Sequence, residues 1–472
     1  MPKAAWRSNT CITCRKRKVR CDQKRPGCDR CYSFGVACGG YGTSNQLSHP
    51  STQRGSNQEA ERKLDRVVAI TVKCNGKQYC LQLLAKFMSL YMPSDSIQAR
   101  ETQRTVCLWY KYFPDSLGRS IVYDEALMAL SFLYIGQTDK NVEFIIKSQW
   151  LYSSVSEKIA NVTVAKGLSL DDLIGIEMTM TLYELYNPSW IHGWTHHVLL
   201  GCELLKRRGP PHPGEPFDRN LYRRVRNFTL YHTLCGRHFT FLAQPRWLAV
   251  SQMDDSYDTL LDILLQIPSL FETMESYSST FGRSQIPEIF LRRSLEEFSR
   301  LEMELLVWFW DLQCNETEML FYLDQSRPEH ALSVPPDTSL IARFARQQHY
   351  ELLVLFWLGA VSLYMFGGEI AWPECIERSN EHQHTVSLED LPHPNPDSGL
   401  VECWINKGGI RTSAESVYLA THFANRICQS IAFCMEPDFT VPGIQLNMPP
   451  TWAALQLFRD SAPERLNGVG RS

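Results

Sequence analysis

Six of the chain's sixteen cysteines fall within residues 11–38, CITCRKRKVRCDQKRPGCDRCYSFGVAC. The larger apolar residues of this segment are Ile12, Val19, Tyr32, Phe34 and Val36, too few for a self-sufficient core. The cysteines repeat. Cys11-x2-Cys14-x6-Cys21 matches Cys28-x2-Cys31-x6-Cys38 at an offset of 17 residues, and Val19 aligns with Val36. The first residues are polar and basic, without the apolar stretch of a secretory leader, so a reducing compartment is expected. There a dense cysteine cluster reads as a metal site and not as a disulfide framework. Tetrahedral zinc takes four ligands, whereas each half of the repeat offers three. Two ions share six thiolates only if two sulfurs bridge. Symmetry makes the bridging pair equivalent, and spacing leaves Cys11/Cys28, Cys14/Cys31 and Cys21/Cys38 all open. Structural zinc supplies an apparent ~10–16 kcal/mol of folding free energy to small peptides, so the metal stands in for the core.

A basic run, Arg15-Lys16-Arg17-Lys18-Val19-Arg20, follows directly on Cys14. Residues 1–43 carry ten basic residues and two acids, a charge of +8, which leaves −11 on the other 429 residues of a chain whose net charge is −3. A basic head on an acidic remainder points to a polyanionic partner for the head alone. Read as a helical turn fixed between metal ligands, the run projects cations that suit the major groove of DNA, where Arg and Lys donate to guanine O6 and N7. Arg15, Lys16, Arg20 and Lys24 are placed for phosphate contacts, which position without specifying. The run also reads as a nuclear localisation signal. The second half has Tyr-Ser-Phe-Gly-Val-Ala in its place and reads as a supporting half.

The full pattern, C-x2-C-x6-C-x6-C-x2-C-x6-C, resembles the fungal six-cysteine binuclear zinc cluster, a transcription-factor DNA-binding domain. The likeness covers all six cysteines, every gap, the basic run and Pro26 in the joining loop. It implies two Zn2+ per chain with Cys11 and Cys28 bridging. One ion would then take Cys11, Cys14, Cys21 and Cys28, and the other Cys28, Cys31, Cys38 and Cys11. It also implies CGG-like sites read by Lys18, with Arg17 beside it in the same role. The function it implies is zinc-dependent, sequence-specific regulation of RNA polymerase II genes in the nucleus. The competing reading is an interaction or scaffold protein whose zinc module is purely structural. Such a module needs no basic run.

Residues 39–58, GGYGTSNQLSHPSTQRGSNQ, are rich in Gly, Ser, Gln and Asn and read as a flexible linker. In Glu59–Val72 a heptad spacing lasts about two repeats, short of the three to four a coiled coil needs, so dimerisation is left open. From about residue 80 to 460, apolar residues recur at helical spacing. Segments 79–92, 124–136, 170–186, 196–209, 295–313, 345–366 and 413–435 read as helices. Asp124 and Ser169 are expected N-caps, and Gly136 and Gly209 expected stops. The expected fold is therefore a small zinc-nucleated α DNA-binding module plus a large all-α domain. Trp194-x2-His197, Leu204-Leu205, Arg208-Gly209-Pro210 and FTFLAQPRW at 239–247 resemble the helical regulatory domain of fungal transcription factors. That likeness implies transcription machinery or co-regulators as partners besides double-stranded DNA, and a small-molecule effector. Met253–Glu275, with six acids and no Lys or Arg, suits an activation segment but reads better as an amphipathic helix ending near Pro268. Leu352–Gly368 is uncharged over 17 residues and reads as a buried helix, not a membrane span. No P-loop, G-x-S-x-G, H-E-x-x-H or strand-coupled G-x-G-x-x-G occurs, so no enzyme activity is expected. His192, His196 and Glu203 are a weak metal candidate, and the ten cysteines outside the cluster are expected to be buried thiols.

Overall fold

A computed structural model describes residues 11, 13–14, 17, 19–24, 28–33, 76–91, 113–161, 167–187, 193–211, 216–248, 250, 256–282, 285–325, 340–369, 385–407, 412–434 and 441–460. The chain divides into two units, Met1–Cys74 and Asn75–Ser472. The segments read as linker and short heptad lie outside the described residues.

In the first unit the buried cluster consists of cysteines, with Val19 packed against it. Helix α1 (Asp29–Tyr32) starts where Cys28 is extended and its Sγ accepts a hydrogen bond from Cys31 N.

The second unit is helical because its apolar residues recur at helical spacing and its polar residues cap the ends. The longer helices are α2 (Gly76–Tyr91), α3 (Ile121–Thr138), α4 (Val142–Ala160), α5 (Leu170–Tyr186), α6 (Gly193–Arg208), α7 (Pro216–Gly236), α8 (Ser256–Leu264), α9 (Ile267–Phe281) and α10 (Glu288–Asn315), with single turns at Phe113–Ser116 and Pro245–Leu248. After a short strand pair come α11 (Gln347–Glu369), α12 (Ser398–Lys407), α13 (Ser413–Cys434) and α14 (Val441–Asp460). Ser169 caps α5 as expected, accepting from Asp172 N at 3.0 Å. Asp124 does not cap α3. Ser120 Oγ does, accepting from Tyr123 N at 3.1 Å, while Asp124 Oδ1 accepts from Gly118 N at 2.7 Å. Gly209 ends α6 with φ 89°, but Gly136 lies within α3, which continues to Thr138.

Helix α3 packs along α4, α5 along α6, and α11 along α13. One apolar core runs from Ile174 to Leu457. Helix α11 lies inside it, with every side chain from Leu352 to Leu358 buried. It is long and apolar enough to span a membrane, yet 89% of that stretch is buried inside the unit, as a helix apolar on all sides must be. The acidic stretch forms α8 and the start of α9, burying Leu260, Leu261, Leu264 and Phe271. Pro268 sits in the first turn of α9, where its missing N–H costs nothing, instead of ending a helix.

The sequence reading contained no strand, but β1 (Phe321–Asp324) and β2 (Ile341–Phe344) form an antiparallel pair with Phe321 opposite Phe344. Both rings lie against Trp357 of α11, with centroids 5.3 and 6.0 Å away. Four residues per strand are too few for alternation to register in the sequence.

Candidate metal centre and nucleic-acid face

The first unit sets its thiols by one local device used twice. Cys14 N donates to Cys11 Sγ at 3.2 Å, and Cys31 N donates to Cys28 Sγ at 3.4 Å. The 17-residue repeat is thus also a repeat of backbone geometry. N–H donors of this kind favour the thiolate form that binds metal. All five described cysteines of the motif are buried: Cys11, Cys14, Cys21, Cys28 and Cys31. Cys38 lies outside the described residues.

The sulfur spacing fits a tetrahedral metal. Sγ atoms of Cys11 and Cys28 lie 3.6 Å apart, as do those of Cys14 and Cys28. Cys11 to Cys31 and Cys14 to Cys31 are each 3.7 Å. A tetrahedron with zinc–sulfur bonds of ~2.3 Å has edges of roughly 3.8 Å. The Sγ atoms of Cys11, Cys14, Cys21 and Cys28 all lie within 4.8 Å of one another. Burial, reinforced by the neighbouring thiols, pushes Cys14 well above the ordinary thiol range, and burial also raises Cys28 and Cys31. A divalent cation reverses this preference by supplying the charge that buried thiolates need. The donor set therefore fits zinc. The distances alone do not choose the bridging pair, since Cys11/Cys28 at 3.6 Å and Cys14/Cys31 at 3.7 Å differ by only 0.1 Å.

Two described residues of the basic run, Arg17 and Val19, are tied back to the turn at Cys14. Arg17 N donates to Thr13 O, and Val19 N to Cys14 O, both at 3.0 Å. Arg17 is half-buried and Arg20 exposed. Arg15, Lys16 and Lys18 lie outside the described residues. Lys24 is exposed and ion-paired with Asp29, and this carboxylate raises its ammonium pKa. An exposed pair of this kind is weak. The sequence reading missed the partner role of Asp22, whose Oδ2 accepts from Asp29 N at 2.9 Å and ties the joining loop to the start of α1. An Asx residue directly after the third cysteine was the available signal.

In the second unit the weak metal candidate is not assembled among the described residues. His196 is exposed, and Glu203 pairs instead with Lys206 and Arg207. His192 lies outside the described residues. His197 is buried, as a packing residue would be, with Nδ1 2.7 Å from Glu177 Oε2 and Nε2 3.0 Å from the Tyr152 hydroxyl. Of the other cysteines, Cys80, Cys202 and Cys434 are buried as expected and Cys428 is half-buried, but Cys235, Cys314 and Cys403 are exposed.

Residues 9–48 match the fungal Zn(2)-Cys(6) binuclear cluster domain. That domain binds two zinc ions through six cysteines. The chain is 26% identical over 147 residues to an uncharacterized protein of Emericella nidulans, covering 30% of this chain and 31% of that one. It is 61% identical over 33 residues to the aspercryptin biosynthesis cluster-specific transcription regulator of the same organism, covering 7% of this chain and 5% of that protein. It is 44% identical over 52 residues to arginine metabolism regulation protein II of Saccharomyces cerevisiae, covering 10% of this chain and 6% of that protein. The matches thus span about a third or less of these relatives. No solved structure matches.

Proposed function

From the premise that residues 9–48 carry a fungal Zn(2)-Cys(6) binuclear cluster domain, we propose that this protein is a nuclear, sequence-specific regulator of RNA polymerase II genes, not an enzyme. One zinc takes Cys11, Cys14, Cys21 and Cys28, and the other Cys28, Cys31, Cys38 and Cys11. The inclusion of Cys28 in the set within 4.8 Å of Cys11, Cys14 and Cys21 supports it as the shared sulfur. Its counterpart across the 17-residue repeat is Cys11. The helical turn after Cys14 presents Lys18 and Arg17 to guanine edges of CGG-like sites. Arg15, Lys16, Arg20 and Lys24 hold phosphates. Residues 39–58 act as a flexible linker, and residues 80–460 as an all-α regulatory domain that takes co-regulators and a small-molecule effector.

The observation that carries this reading is the buried thiol cluster, whose Cys14 is followed directly in sequence by the basic run. The test is fluorescence anisotropy of the full chain on a CGG duplex and on a scrambled one, before and after a zinc chelator. The expected result is a CGG preference that chelation abolishes and zinc restores. Equal binding to both duplexes, or binding indifferent to chelation, would reject the proposal in favour of a purely structural zinc module.

A further inference from the structure

The hairpin of α13 and α14 carries almost no charge. Residues 416–434 and 441–458 contain one charged side chain, Arg426, in a chain with 21% charged residues. Arg426 is itself buried and bonded to Asp397. The solvent side of the hairpin is apolar instead. Met448, Trp452 and Leu455 of α14 are 54, 42 and 59% exposed, and Val417 and Tyr418 of α13 are 42 and 59% exposed. The spacing 448, 452, 455 puts the first three on one face of α14, away from buried Ala453, Ala454 and Leu457. The two helices pack along each other. A Cβ on Gly368 would lie 2.9 Å from Val417 Cγ2, and Trp452 borders the same cavity as Glu369, so both sets of exposed residues flank the C-terminal end of α11. Together they present roughly 500 Å² of apolar side chain, as large as the largest patch on a typical monomer.

We infer that this face pairs with the same face of a second copy of the chain. The area fits. A standard interface takes about 800 Å² from each partner, and in homodimers about 65% of it is apolar, which asks for roughly 500 Å² of apolar surface per copy. The charge fits as well. Each copy has the same net charge of −3, and two such copies approach at least electrostatic cost across a face that carries none. A strongly acidic or basic partner would find no opposite charge there. The stripe is also nearly symmetric about Trp452. A two-fold axis at that residue sets Met448 of each copy against Leu455 of the other, as isologous pairing requires. The inference concerns the second unit alone and stands whether or not the first unit reads DNA.

The test is sedimentation equilibrium of the full chain from about 0.1 to 50 μM, since interfaces of this size bind at micromolar strength or tighter. A dimer is expected. Leu455→Lys sets two lysines close to the axis and should weaken the dimer at least about tenfold. Tyr418→Glu should weaken it from α13, and carries the test should Leu455→Lys unfold. Ile289→Lys, at a 73% exposed apolar site on α10, should leave the dimer intact. Equal urea midpoints for the variants and the parent show that folding is not what changed. A monomer across the whole range, a dimer indifferent to Leu455→Lys, or a dimer weakened as much by Ile289→Lys each overturns the inference. A face that serves a different protein gives the first of these results.

Discussion

Lys18 and Lys24 carry the same charge, yet their expected roles differ. Lys18→Ala should cost about 1–3 kcal/mol on CGG DNA and relax sequence preference, because a guanine edge carries information. Lys24 stands exposed beside Asp29, so Lys24→Ala should weaken all DNA alike and lower the log–log salt slope by roughly one. If Lys18→Ala weakens random DNA as much as CGG DNA with zinc retained, Arg17 becomes the better reader. Among the ligands, Cys11→Ala or Cys28→Ala should disturb both metal sites and Cys14→Ala mainly one, as elemental analysis of purified variants reports. Loss of both ions from Cys14→Ala with one lost from Cys11→Ala would reverse the bridging assignment. In the second unit Asp397 is fully buried. Burial alone would raise its pKa, but His422 at 2.9 Å and Arg426 at 2.7 Å hold it below the usual carboxylate value. A depressed folded-state pKa contributes stability that is present above the unfolded value near 3.9 and is lost as pH falls below it. Asp397→Asn should therefore flatten the acid limb of the stability profile and cost about 3 kcal/mol at neutral pH, since Arg426 loses its buried partner. An unchanged urea midpoint at pH 7 would contradict this.

At the scale of elements, close approach governs as much as propensity does. Gly175 in α5 faces Tyr123 of α3, and a Cβ there would come within 2.4 Å of the Tyr123 hydroxyl. An alanine in a helix interior normally gains about 1 kcal/mol over glycine. Here the Cβ would meet a buried ring, so Gly175→Ala should destabilise by about 1–3 kcal/mol. A urea midpoint equal to or above that of the parent would show that the two helices can separate at no cost. The same distinction explains what the sequence revealed of the helices. Segments with strong apolar periodicity, such as 170–186 and 413–435, appear within a residue of their expected ends as α5 and α13. Gly136 misled because a glycine at a helix end and one at a crossing look alike. A Cβ on it would lie 3.1 Å from Asn141 O, so the residue serves the turn into α4 and not the end of α3. Helices α4, α7, α12 and α14 were not singled out because polar residues interrupt their apolar stripes. In the cluster the ligand set was readable because the metal prescribes its spacing, whereas Asp22 as a loop tie depends on tertiary geometry.

For the molecule as a whole, two kinds of core predict two kinds of unfolding. The first unit's buried cluster is thiols with Val19 against it, while the second has its own apolar core. A chelator should abolish DNA binding and the cluster's cooperative transition while leaving the far-UV helical signal and the main thermal transition nearly unchanged. A chelator that also collapses the main transition would show that the second unit depends on the metal. The opposite charges, +8 on residues 1–43 and −11 on the rest, add a further expectation. DNA affinity should fall steeply with salt, since the charge that meets phosphate is concentrated in one short segment.

The paired hydrogen bonds from Cys14 N to Cys11 Sγ and from Cys31 N to Cys28 Sγ set the first two thiols of each half by backbone geometry, without side chains of the intervening residues. A duplicated unit of this kind is free to specialise. One copy keeps the ligands and acquires a reading surface, and the other keeps the ligands and lets the same six positions drift toward Tyr-Ser-Phe-Gly-Val-Ala. Under the proposed function recognition is thereby uncoupled from folding, and rewriting residues between Arg15 and Arg20 should change the DNA sequence preferred while leaving the zinc content unchanged.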